Sequence, residues 1–169
     1  AAGFRLVAAM NPFDAIGTAR ISGAVYDRVC RLSVDYQDAS DEASIVRAAL
    51  PDAGIDDTWL GKVVQVVRAT RTHADVRIGS SVRGAIDTAA VASSLASLRG
   101  ARATDAAVGL DAALVALSGR LRLREGCARR AEDIVTELWN DVFATPEEAG
   151  GEQGGEGKAP APMGAASSS

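Results

Sequence analysis

The sequence predicts an α/β chain in three parts: two short strands, then a helical bundle, then a disordered tail. Three observations carry this. Gly3–Ala9 and Arg31–Val34 are short runs with the apolar or alternating character of strands. From Ser40 to Phe143 apolar side chains recur at helical spacing instead. From Pro146 to Ser169 there is no Leu, Ile, Val, Phe, Trp or Tyr, so this stretch cannot offset its ordering entropy by burial.

Taken in order, the first strand stops at Asn11-Pro12, and the second follows a short helical segment that closes on Asp27-Arg28. No hairpin turn joins the two strands. An isolated pair is marginal and its open edges invite association, so a partner strand is expected. Ser40 as N-cap, with Asp41 and Glu42 in the first turn, opens the first bundle helix, and Pro51 ends it. Asp57–Thr72 is a second helix, with Trp59, Leu60, Val63, Val64, Val67 and Thr70 on one stripe. A third runs from about Ser81 to Leu98. Thr104 and Asp105 start a fourth, whose Leu110, Leu114 and Leu117 face inward. Ile134, Val135, Leu138, Trp139, Val142 and Phe143 mark a fifth, strongly amphipathic one. With no internal repeat, a compact bundle is expected rather than a solenoid.

Composition excludes several classes. A length of 169 residues allows one domain with a real core, and 47% hydrophobic with 24% charged is ordinary for soluble globular protein. No apolar run approaches the ~18 residues that span a bilayer, and the N-terminus lacks the order of a signal peptide, so a cytoplasmic protein with no membrane contact is expected. Cys30 and Cys127 form no CxxC pair and His73 is the single histidine, which points to reduced thiols and no metal site. The acidic balance sits mostly in the tail, where Glu147, Glu148, Glu152 and Glu156 face only Lys158. Nucleic-acid binding gains little support, with 18 basic residues against 22 acidic ones and few aromatic rings to stack on bases. Arg120, Arg122, Arg124, Arg129 and Arg130 form a basic cluster that reads as a solvated face or an interface. One histidine and no glycine-flanked serine elbow give no support to a serine hydrolase.

Three polar residues stand out. Asn11 lies just past the end of a predicted buried strand, the edge where ligands collect in open α/β sheets. Its carboxamide can donate to a phosphate oxygen and accept from a water, although Asn11-Pro12 alone also reads as the start of a turn. Arg28 ends the short helical segment. Its fork-shaped, permanently charged guanidinium suits a phosphate, across a subunit border for example, and a solvated cation at a helix C-terminus is the plainer alternative. Arg20 is a weaker candidate for the same surface. Arg83 follows Gly79-Ser80-Ser81-Val82. With Ser80 or Ser81 as the cap, it falls in the first turn of the third helix, where a cation is disfavoured by roughly 0.3–1 kcal/mol. A guanidinium beside a helix N-terminus makes a stronger anion site, which is the kind of local conflict function explains; an ion pair with Asp87 one turn on is the alternative. No glycine-rich loop ending in GK(S/T) is present, since Gly17-Thr18 and Gly61-Lys62 lack the spacing and the latter falls on a helical stripe.

In their order these residues resemble the C-terminal portion of a MoxR-family AAA+ ATPase. Members carry "RLVATxNP", "GT", an "LDRF"-like element and later "aTRxHpxvxlGaSpRa"; here the segments read "RLVAAMNP", "GT", "YDRVC" and "ATRTHADVRIGSSVRGA". The likeness spans roughly Phe4 to Arg124, with Val82 where the family has proline and Cys30 in a region that is usually aromatic. It implies that 1–37 is the C-terminal part of the AAA+ α/β core, with two strands of a parallel sheet whose missing neighbour lies between them. It further implies a helical lid over 38–125, and beyond the likeness lie the amphipathic helix, over 126–145, and the disordered tail, over 146–169, that periodicity and composition predict. By the same likeness Asn11 is sensor 1, orienting the attacking water at the γ-phosphate of ATP. Arg28 is the arginine finger, reaching the nucleotide of the next subunit, and Arg83 is sensor 2, contacting phosphates from its own lid. Implied with these are ATP and Mg2+ as cofactors, a homo-oligomeric ring that is a hexamer, chaperone-like remodelling of clients, and a partner bearing a von Willebrand factor A domain. The phosphate-loop and magnesium-binding segments would precede Ala1, and with Ala1 in place of methionine, which processing would also explain, the chain reads as a piece of a longer protein, inactive by itself. A truncated, non-catalytic helical module docking on an intact ATPase is the alternative.

Overall fold

The structure is a computed structural model, and it describes residues 3–9 and 22–144. The chain divides into two units, one ending at Asp35 and one beginning at Tyr36.

In the first unit the described residues hold one short helix, α1 (Gly23–Tyr26). The two predicted strands are a correction: neither Gly3–Ala9 nor Arg31–Val34 is a strand, and no parallel pair exists among the described residues. The physical reason is the one that made isolated strands doubtful, since no described backbone supplies the ladder partners a strand requires. Their apolar side chains lie exposed, Val7 at 92% and Leu32 at 85%.

The second unit is a helical bundle. Its elements are α2 (Ala39–Ala49), α3 (Asp57–Thr72), β1 (Val76–Ile78), α4 (Val82–Arg99), α5 (Ala106–Leu117), a 3-10 turn (Ser118–Arg120), β2 (Arg122–Leu123) and α6 (Ala131–Phe143). The five predicted bundle helices are present. The two strands between them were not foreseen: β1 and β2 pair antiparallel, with Val76 opposite Leu123 and Ile78 opposite Arg122. Each is too short to show a period of two, so only the pairing reveals them.

Helix starts follow their caps. For α2 the cap is Asp38 rather than Ser40, because its carboxylate accepts both the Asp41 N–H and the Ser40 hydroxyl at 2.8 Å. Asp56 caps α3 through the Trp59 N–H at 2.8 Å. The core gathers the predicted stripe of α3, now including Val66, and Ile134, Val135, Leu138 and Trp139 of α6. Trp139 stacks on Phe143 with centroids 4.0 Å apart and meets Trp59 edge-on at 6.1 Å, geometries that aromatic quadrupoles favour. Lys62 lies 5.2 Å above the Phe143 ring, so Gly61-Lys62 is part of helix α3, not of a phosphate loop. In α5 the buried face is Val108, Gly109, Ala112, Ala113, Ala116 and Leu117, while Leu110 and Leu114 are only half-buried. It packs on α4, whose buried residues are Gly84, Ala85, Thr88, Ala89, Ala92 and Ala96. No helix among the described residues is long and apolar enough to cross a membrane.

Candidate functional site

The segment from Thr70 to Gly84 carries the candidate site, and it is built by close backbone approach. Gly79 runs against the last turn of α3, where a Cβ would lie 2.7 Å from Arg71 N and 2.8 Å from its Cα. Next to it, Ser80 is 3% exposed and donates its N–H to Thr70 Oγ1 at 2.9 Å. That hydroxyl in turn donates to the Val67 carbonyl at 2.6 Å. Helix α4 then starts directly over Ser80, and a Cβ at Gly84 would strike the Ser80 hydroxyl and Leu117 Cδ2. Of the two serines expected to cap α4, Ser81 is the N-cap, but its hydroxyl makes no capping hydrogen bond.

Arg83 sits in this first turn and is exposed. The alternative pairing with Asp87 is absent, and Asp87 is taken by Arg120. Arg83 makes no side-chain hydrogen bond or ion pair with any described residue. A cation therefore stands at the positive end of α4 with no ion-pair partner among the described residues.

Beneath that turn lies a charged network that sequence reading did not assemble. Glu42, read only as a first-turn acid of α2, is 1% exposed. Arg71 Nη2 donates to Glu42 Oε1 at 2.7 Å and Arg68 Nη1 to Oε2 at 2.9 Å. Burying a carboxylate is tolerable only with such partners. Arg71 spends its Nε on the Ser80 carbonyl at 2.8 Å, and its guanidinium lies 3.9 Å from the Tyr36 ring centroid. Arg68 also donates to the Gln37 carbonyl at 2.9 Å. The signal available beforehand was the spacing of Arg68 and Arg71, which puts two arginines on one face of α3.

Of the other candidates, Arg28 belongs to the first unit. Arg28 is exposed and donates through Nη1 to the Ala24 carbonyl at 2.6 Å, the bond a cation at a helix end makes. Asn11 lies outside the described residues, as do Arg20, Gly17-Thr18 and the tail from Pro146. The basic cluster is engaged internally: Arg120 with Asp87, Arg129 with Asp75 and Glu137, Arg130 with Glu132, and Arg124 with the Ala74 carbonyl at 2.7 Å. His73 Nδ1 accepts the Asp75 N–H at 3.1 Å, so its Nε2, 3.5 Å from Glu137, is the nitrogen left to donate. No protein-family model, no curated protein and no solved structure matches the chain.

Proposed function

We propose that this chain is the sensor and lid half of a MoxR-type AAA+ ATPase, in which Asn11, Arg28 and Arg83 converge on ATP to drive chaperone-like remodelling of partner proteins. The observation that supports it is Arg83: an exposed guanidinium in the first turn of an 18-residue helix, with the helix's own hydroxyl cap unused and its nearest acid occupied elsewhere. That turn fits a phosphate group, since amide N–H groups and a guanidinium favour the same anion. Magnesium finds no such fit, because no group of three His, Cys, Asp or Glu among the described residues could hold a metal. The Mg2+ ligands and the phosphate loop belong to sequence other than these residues.

In this reading Arg83 binds phosphate from the lid, Asn11 orients the attacking water, and Arg28 reaches the nucleotide of a neighbouring subunit in a cytoplasmic hexameric ring. A von Willebrand factor A domain protein is the expected partner. ATP turnover by the protein of the full reading frame tests it. Separate Asn11→Ala, Arg28→Ala and Arg83→Ala substitutions should each depress turnover, and undiminished turnover in all three contradicts the assignment. The self-contained core from Tyr36 onward favours a second reading, a non-catalytic module docking on an intact ATPase. Co-purification with such an ATPase, without ATP turnover and indifferent to Arg83→Ala, would select it.

A further inference from the structure

We propose that Arg71 is a positioning residue for Arg83, fixing the first turn of α4 at the place where its guanidinium must meet a phosphate. The inference rests on reading Arg83 as a phosphate contact, and adds a second residue, with a distinct role, to it. One side chain, Arg71, touches three separate stretches: the Tyr36 ring, the buried Glu42 carboxylate on α2 and the Ser80 carbonyl just before α4. A planar fork presents its donors at fixed angles and so holds Glu42 and Ser80 together in one geometry, whereas the three donors of an ammonium rotate on a flexible stem. The remaining contacts act on the same two residues of backbone. Thr70 accepts the Ser80 N–H, Gly79 admits the chain against α3, and Gly84 seats the helix on Ser80.

Together these hold Ser80 by both its N–H and its carbonyl, three residues before Arg83. A surface arginine has no need of such a platform, and a buried ion pair is weak evidence for stability alone, because apolar replacements often serve as well. Its documented use is to fix one geometry among alternatives, which is the service proposed here.

The test has two arms. In the 169-residue chain, Arg71→Lys keeps a charge opposite Glu42 and loses the fork, while Thr70→Val removes the Ser80 acceptor at nearly constant volume. Each should raise amide exchange at Gly84 and Ala85 by about tenfold, with Val63 and Trp139 keeping wild-type protection. Unchanged exchange at Gly84 and Ala85, or an equal rise throughout the bundle, overturns the proposal; should Arg71→Lys fail to fold, Thr70→Val decides.

In the full reading frame, ATP turnover and KM are measured for Arg71→Lys, Arg83→Ala and the double variant. Arg71→Lys is expected to impair the wild-type background and to add nothing once Arg83 is gone. An equal fold-loss in both backgrounds overturns the positioning role and leaves Arg83's role standing. Wild-type turnover and KM in Arg83→Ala overturn the functional reading itself, and the positioning role with it.

Discussion

Gly79 leaves no room for a side chain. A Cβ there meets backbone atoms of Thr70 and Arg71 within 2.8 Å, and backbone cannot swing aside as a flexible side chain can. Gly79→Ala should therefore cost about 1–3 kcal/mol of overpacking, measured as a lower urea midpoint at constant m-value. Glu137 supplies a pH signature. Its carboxyl is held below the ordinary value of 4.5, first by the hydrogen bond from Arg129, with partial burial working against it and His73 adding a smaller pull. The unfolded chain thus binds the proton more tightly. Stability from this group is complete above about pH 4.5 and is lost as pH falls through the lowered folded value. Glu137→Gln should melt below wild type near neutral pH, and that gap should close on acidification; a gap constant down to about pH 3 contradicts the assignment.

Among the elements, all five bundle helices were legible, α4 and α5 by their starts at Ser81 and at Thr104-Asp105, whereas the small-residue buried faces of those two were not. Trp59, Val63, Leu138 and Trp139 announce α3 and α6 because large apolar side chains at helical spacing dominate any periodic signal. The buried residues of α4 are all Ala, Gly or Thr, and most of those of α5 are Ala or Gly, whose transfer free energies are too small to mark a stripe. Leu110, Leu114 and Leu117 drew attention instead, and only Leu117 is fully buried. Two substitutions separate these modes. Trp139→Ala should remove about 3–5 kcal/mol through lost burial and a cavity. Ala92→Leu, a more hydrophobic residue at a fully buried site, should still destabilise by about 1–3 kcal/mol; thermal melts that show Ala92→Leu raising Tm would mean the core around α4 is loosely packed. The short strands β1 and β2 escaped for a related reason, since two or three residues cannot display a period and their pairing is long-range.

For the whole molecule, the bundle was readable because its order is local, whereas the N-terminal strands were inferred from runs whose ladder partners no described residue provides. The site divides the same way. Arg83 could be singled out because it breaks a local rule, a cation at a helix N-terminus, and its exposure with Asp87 engaged by Arg120 sharpens that conflict. The Glu42–Arg68–Arg71 network joins residues 26 and 29 positions apart, so nothing local announced it. The central claim, that Arg28 serves a nucleotide other than its own, is a property of an assembly, and subunit mixing measures it most directly. In the protein of the full reading frame, on the proposed reading, Arg28→Ala subunits would keep an intact site and lack the finger, while Arg83→Ala subunits would keep the finger and have a damaged site. Each population alone should turn over ATP poorly, the first by on the order of 10³–10⁵ if the finger behaves as in other NTPases. Mixed, they should regain turnover well above the sum of the two, because Arg28 of one subunit completes the site of the next; a mixture no more active than that sum would contradict the account.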